Sequence, residues 1–346
     1  MPGSSRYFQV TVAMAATLWL LIEARSVLEP VLLALFIWFL ISVTARQFSK
    51  AYASCGIQSD GLSKLSAALS ILIALIVIGS MVADSARTVA EKLPLYEAKL
   101  DAIATSASSM LGVEGALKIG DVLQKIELAP AVISFAGSAA NAATSMIIIF
   151  VYIIFINQEA KLAEIKLQSL SRHGIDHDQV QRASEQILRE IETYIGIKVL
   201  LGLVQAVPTF VVLSFVGVEA PVFWAVMIFL FSFIPTIGTL VGIVFPLLMT
   251  LVQFESFTPL LVVAATLVPI QLLASNFLEP KLMSTSLNLS PFVVFFGIFA
   301  GGAVWGIVGA LIIVPLLATA MIVFARIPSM QPVAILLSGD GRLPEH

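Results

Sequence analysis

Gln271, Ser275 and Glu279 recur at four-residue spacing in an otherwise apolar stretch, with Asn276 beside them. Residues four apart share one face of a helix. A carboxylate grouped with amide and hydroxyl oxygens can hold a cation or a proton. It can also accept hydrogen bonds from a polyhydroxylated small molecule. A second polar stripe, Tyr194, Lys198, Gln205 and Thr209, falls on one face of the apolar run 194–216. Ionisable residues inside an apolar span are costly and mark substrate or ion pathways by default. Glu279, Asn276, Gln271, Ser275, Lys198 and Gln205 are therefore the candidate path residues. Each charged one has a plainer reading: Glu279 caps a helix end and pairs with Lys281, and Lys198 snorkels from the end of its span.

Other chemistries find little material. His173 and His177 lie four apart beside Asp176 and Asp178. Such a set can bind a metal, but a solvated polar turn is the commoner state, so no metal and no cofactor is expected. No glycine loop carries the lysine of a phosphate-binding motif, and no serine, histidine and carboxylate set can assemble. The chain reads as a non-enzyme, with any transport secondary or facilitative. Cys55 stands alone, which excludes an intrachain disulfide.

The elements that must position these residues are membrane helices. The 346 residues are 59% hydrophobic and 12% charged, against about 25% charged in soluble domains, and the mean hydropathy is +1.00. A net charge of −3 argues against a nucleic-acid partner. The expected fold is an all-α polytopic membrane protein in the lipid bilayer. Six full spans are read at Tyr7–Ile22, Val27–Ala45, Leu65–Ala83, Ala131–Ile156, Tyr194–Val216 and Phe257–Ser275. A short polar joint (Glu23, Arg25, Glu29-Pro30) makes the first two an antiparallel pair. The run over 7–22 is read as a span and not as a signal peptide.

Two further charge-free runs, Pro221–Val252 and Pro291–Ala325, are longer than the ~20 residues one crossing needs. Pro235, Gly238, Gly242 and Pro246 interrupt the first. Gly301, Gly302, Gly306 and Gly309 interrupt the second, with Pro315 beyond. Proline removes a helical amide donor, and glycine loosens the helix. Freed backbone groups cannot face lipid, so each run is read as a broken, re-entrant helical hairpin. Paired interrupted helices are where transporters place substrates and ions.

The organisation expected is a three-span unit over 1–83, an extracytoplasmic amphipathic helical cap over 84–130, a fourth span and cytoplasmic helix over 131–192, a transport core with both hairpins over 193–325, and a cytoplasmic tail over 326–346. Small residues (Gly137, Asn141, Ser145) line a packing face of the fourth span. With both termini in the cytoplasm, the inside loops carry about twice as many Lys and Arg as the outside ones, as the positive-inside bias requires. The unit of fifth span plus hairpin and the unit of sixth span plus hairpin then enter from opposite sides, an inverted-repeat-like arrangement.

The second half also carries motifs of a known family. FIPTIGTLVGIVFP (233–246), with Pro235 and Gly238 in a Pro-x-x-Gly spacing, resembles the signature of the autoinducer-2 exporter family, or PerM-like permeases. The block 276–318 resembles the family's second signature through Asn276, Glu279-Pro280, Leu289-Ser290-Pro291, the glycine series and Val314-Pro315. Tyr194-Ile195 and Lys198 resemble the start of its fifth span. The resemblance implies a multi-pass protein of the inner (cytoplasmic) membrane and a homo-oligomer, a pentamer among the arrangements it suggests. It implies transport of a small polar solute such as autoinducer-2, outward. The alternative it carries is sodium(lithium)/proton antiport with Na+ or H+ as partners. A membrane scaffold or assembly protein is a third reading, which rests on the cap and the 157–192 helix.

Overall fold

The structure is a computed structural model that describes residues 12, 16–17, 19–111, 146–163, 165–166, 177–234, 237–283 and 288–343. The helices are α1 (Arg25–Ser54), α2 (Asp60–Leu111), α3 (Met146–Ala163), α4 (His177–Val216), α5 (Pro221–Phe231), α6 (Ile237–Gln253), α7 (Phe257–Leu273), α8 (Glu279–Met283), α9 (Pro291–Ala325) and α10 (Gln331–Leu337). A π-helical turn, Ala274–Leu278, joins α7 to α8. Six helical segments among the described residues are long and apolar enough to cross a membrane: Arg25–Ser54, Asp60–Val89, Met146–Ala163, Val180–Val216, Phe257–Met283 and Pro291–Ala325. Five correspond to the expected second to sixth spans and the last is the second broken run. Most of the expected first span, the packing face at Gly137, Asn141 and Ser145, and the second half of the cap lie outside the described residues, as do Pro235, His173 and Asp176.

The expected reversal at Glu23–Pro30 is corrected. Glu29 and Pro30 lie inside α1. The Ala24 amide donates to the Leu20 carbonyl at 2.8 Å and the Leu28 amide to the Ala24 carbonyl at 2.9 Å, so the helical ladder runs through the joint. Arg25 donates to Glu29 at 2.6 Å, one turn on, and the polar residues decorate a helix without ending it. The cap is likewise continuous with its span, since α2 passes through residue 84 without a stop.

The chain forms two compact units. One contains Met1–Ala67, Ser145–Gly196 and Met283–His346. Here α1 buries Ala34, Phe36, Ile37, Phe39, Ile41 and Ala45, and α9 packs on it. At the polar end Arg46 pairs with Glu192 and Arg326 donates to Gln186 at 3.0 Å. Phe292, Phe295, Phe296 and Phe299 are all exposed, as lipid-facing rings would be.

Helix α9 is folded back on itself. Trp305 (φ −125°, ψ 21°) and Gly306 (φ 59°, ψ −145°) leave the helical region. Gly297 then meets Leu317, and Gly301 meets Gly309 and Ile313. A Cβ on Gly309 would be driven into the carbonyl of Gly301, so only glycine lets the arms touch there. The bend docks on the first helix: the Trp305 indole donates to the Leu21 carbonyl at 3.3 Å, and the Arg25 guanidinium lies beside Gly306. Gly302 plays a smaller part than the glycine pattern predicts, because a Cβ there would find its first neighbour at 3.9 Å, an ordinary contact.

The other unit contains Ala68–Thr144 and Ile197–Leu282. Its core joins Val82 and Tyr96 of α2 to Leu213, Phe223, Trp224, Met227, Met249, Val263 and Leu267. Here α5 and α6 fold back on each other. Trp224 stacks on Phe245 at 6.3 Å between ring centroids, and a Cβ on Gly238 would strike the Phe231 carbonyl. Helix α5 ends at Phe231 and α6 begins at Ile237, just ahead of Gly238. Pro246 and Gly242 do not break this run: α6 continues through both.

Gly306→Ala is expected to lower the melting temperature in detergent, since a side chain at that φ costs about 1–3 kcal/mol. Gly309→Ala should lower it further. Gly302→Ala, which has room and gains helix propensity, should leave it unchanged or raised. Thermal unfolding of the three purified variants reads the order.

Candidate functional site

Lys198, Ser232 and Glu279 meet although 34 and 81 residues of sequence separate Lys198 from the other two. The Lys198 ammonium donates to a Glu279 carboxylate oxygen at 2.6 Å and to the Ser232 carbonyl at 2.9 Å. The lysine side chain is 1% exposed and the carboxylate 20%. The plainer reading of Lys198 is thereby corrected: it does not snorkel to an interface, and Glu279 takes a charge partner from α4.

Each partner is positioned by a local feature. Ser232 follows the last residue of α5, where the broken helix leaves carbonyls without amide donors. A cation suits the negative end of a helix dipole, and Lys198 supplies it from α4. Gly202, one turn along α4, has no side chain, and Phe229 and Ser232 fill the space a Cβ would need. This lets α5 approach closely enough for the lysine to reach. Glu279 is the first residue after the π-helical turn. Such a turn inserts one residue into the helix and commonly marks functional sites.

Further along the same unit lie buried amides. Gln271 is 0% exposed and Gln205 3%. Neither polar atom of the Gln271 amide, nor the Gln205 carbonyl oxygen, has a hydrogen-bond partner among the described residues. Thr209, also buried, donates to the Gln205 backbone carbonyl at 2.7 Å. Ser275 donates to the Gln271 backbone carbonyl at 2.8 Å, and its hydroxyl is spent inside the helix. Asn276 is exposed. Of the six predicted path residues, then, Lys198 and Glu279 form one constellation, Gln205 and Gln271 are buried polar groups, and Ser275 and Asn276 stand aside.

A second polar cluster was not predicted. Glu219 accepts from Lys92 at 2.6 Å and from the Tyr96 hydroxyl. Its backbone amide donates to the Gln253 side chain at 2.7 Å, and its carbonyl accepts from Trp224 at 3.1 Å. Gln253 also donates to the Gly217 carbonyl at 2.8 Å. The cluster ties α2 to the start of α5 and the end of α6. Its sequence signal was faint: a lone acid, Glu219, between two apolar runs. Burial raises the Glu219 carboxyl, but the hydrogen bonds from Lys92 and Tyr96 and the charges of Lys92 and Lys99 outweigh it and hold the group below the usual carboxylate range. Burial, then the bond to Glu219, pushes the Tyr96 hydroxyl up. Among the described residues no group of three histidine, cysteine or acidic side chains is placed to hold a metal.

Comparison with known proteins gives a consistent result. The model of the AI-2E family transporters matches residues 8–329. A candidate transport protein of Borreliella burgdorferi is 28% identical over 251 residues, 72% of this chain and 69% of that protein. The candidate transport protein YhhT of Escherichia coli is 29% identical over 58% of this chain and 56% of its own length. The AI-2 transport protein TqsA of Escherichia coli is 27% identical over 57% of this chain and 56% of its own length. The chain thus spans just over half the length of the two Escherichia coli proteins.

Two outcomes follow from this geometry. Glu279→Gln leaves the buried Lys198 ammonium without its counter-charge and should cost about 3–5 kcal/mol, while adding Lys198→Met should recover most of it; unfolding of the single and double variants measures the coupling. Glu219→Gln should destabilise at neutral pH. The Glu219 carboxyl is depressed in the folded state, so its contribution is complete above the unfolded pKa of about 4.3 and is lost as pH falls through the folded value. The melting temperatures of wild type and variant should converge below about pH 4.

Proposed function

The chain belongs to the AI-2E transporter family, and on that premise we propose that it exports a small polar solute of the autoinducer-2 class as a secondary or facilitative transporter. It is a multi-pass membrane protein. In this reading it sits in the inner membrane with both termini cytoplasmic, assembles as a homo-oligomer, and uses its two folded-back runs as re-entrant hairpins.

One observation carries the proposal: the Lys198–Glu279 pair on the Ser232 carbonyl. A buried ion pair is often replaceable by apolar side chains at no loss of stability, so its presence here points to a role beyond folding. Its place at a broken helix end, in an apolar bundle, is where transporters handle polar cargo. Glu279 retains partial exposure, so the carboxylate can meet a solute while the lysine holds it in place.

The same geometry favours a second reading, cation/proton antiport. A carboxylate oxygen and a backbone carbonyl surround the Lys198 ammonium at 2.6 and 2.9 Å. Hard cations take oxygen ligands of this kind. The ammonium then stands where sodium or lithium would bind, and its departure would free the site.

Vesicles containing only the purified chain separate the two. Efflux of labelled autoinducer-2 is expected from wild type, falling at least tenfold in Glu279→Gln, with no pH-dye response to sodium, lithium or potassium. If cation pulses move protons and Glu279→Gln stops them, antiport replaces export.

A further inference from the structure

Gln271 is a buried polar side chain for which the fold gives no use. Its amide can donate two hydrogen bonds and accept two, yet neither polar atom has a partner among the described residues. Leaving such a group unpaired costs about 1–3 kcal/mol, and apolar surroundings offer no water to soften that. Helix α7 is otherwise built from apolar residues, threonine and proline, so an apolar residue at 271 would serve packing better.

The helix opposite is cleared for this amide. A Cβ on Gly242 would lie 2.8 Å from Nε2 and 3.1 Å from Oε1 of Gln271. Only glycine at 242 lets the amide lie against the α6 backbone. Pro246, four residues on, has no amide hydrogen, so the Gly242 carbonyl lacks its usual helical donor. This is a role for Pro246 other than breaking the helix. An unpartnered side-chain amide and a carbonyl without its usual helical donor therefore stand on neighbouring helices.

Gln205 adds a third. The ion pair ties Lys198 of α4 to Glu279. At the other end, the Gln253 side chain holds Gly217 and Glu219, close to the start of α7 at Phe257. Helices α4 and α7 therefore run in opposite directions. Gln205 lies seven residues from Lys198 and Gln271 eight from Glu279, both ~10–12 Å from the ion pair toward the Glu219 end. The unpartnered Gln205 carbonyl oxygen and the Gln271 amide stand at one level of the unit.

We propose that the Gln271 amide, seated over Gly242, is a recognition subsite for a neutral hydroxylated solute, with the Gln205 side-chain oxygen at the same level of the unit. The inference rests on the transporter reading and names its substrate chemistry. Hydroxyl groups both donate and accept, as this set requires. A bare cation would meet the N–H groups of Nε2, and an anion would meet the amide oxygens. A hydroxyl inserted here satisfies both atoms of Gln271 and pays back their desolvation only when cargo is bound.

The test uses the full chain in nanodiscs with autoinducer-2, ribitol and xylitol as probes. At least one probe should raise the wild-type melting temperature. Gln271→Met, which keeps length and removes the amide, should melt above wild type without a probe and show no shift with one. Gly242→Ala, which displaces the amide, should reduce the shift at least tenfold in apparent affinity. Three results overturn the subsite: no shift in wild type with any probe, an undiminished shift in Gln271→Met, or a Gln271→Met protein that melts below wild type. Efflux of the binding probe from vesicles tests the parent reading separately. Binding lost in Gln271→Met without efflux by wild type keeps the subsite and removes transport. Efflux that persists in Gln271→Met keeps transport and removes the subsite.

Discussion

A helix that stops inside a membrane leaves carbonyl groups with no amide to meet, and lipid supplies none. Helix α5 stops within an apolar bundle, and there the Lys198 ammonium donates to the Ser232 carbonyl. That solution creates a second demand, because a buried ammonium needs a counter-charge. Glu279 provides it. The glycine at 202 and the π-helical turn before Glu279 both serve this meeting. One unsatisfied backbone end thus calls up a chain of residues drawn from three helices. The same chain places a charged constellation within the apolar bundle.

The folded-back run in the other unit answers the same constraint by different means. The Arg25 guanidinium, paired with Glu29, lies beside its bend at Gly306. Trp305 donates to the Leu21 carbonyl, and glycines at 301 and 309 bring the arms into contact. Two broken runs that look alike in sequence are stabilised differently: one by a buried cation, the other by close approach and one indole hydrogen bond.

What the sequence disclosed depends on the range of the interaction. Fold class follows from hydropathy, a local property, and it holds. Lys198 and Glu279 stood out because charge in an apolar run is conspicuous. Their pairing was illegible, since nothing local joins residues 81 apart, and the near neighbour Lys281 was the available guess for Glu279. Gln271 and Gln205 were visible as polar residues, but their lack of partners is a property of the packed state. Pro246 and Gly302 show the opposite error. Residue type suggested a break at each, whereas one run stops after Phe231, where Lys198 meets the Ser232 carbonyl, and the other bends at Trp305-Gly306. The polar joint at 23–30 failed for a related reason: polarity marks exposure, and Arg25 and Glu29 satisfy each other along one helix face without turning the chain.

The π-helical turn at Ala274–Leu278 is in effect a one-residue insertion absorbed without a loop. The α-helical stretches on either side keep their own periodicity, and the extra residue sets the phase between them. Removing it would rotate everything downstream by ~100°. Gln271 would keep its place over Gly242, while Glu279 would turn away from Lys198. The length of this segment is therefore constrained as tightly as its composition. In an alignment, a gap between 273 and 279 would signal loss of the carboxylate from the ion pair even where a glutamate is still written in the column.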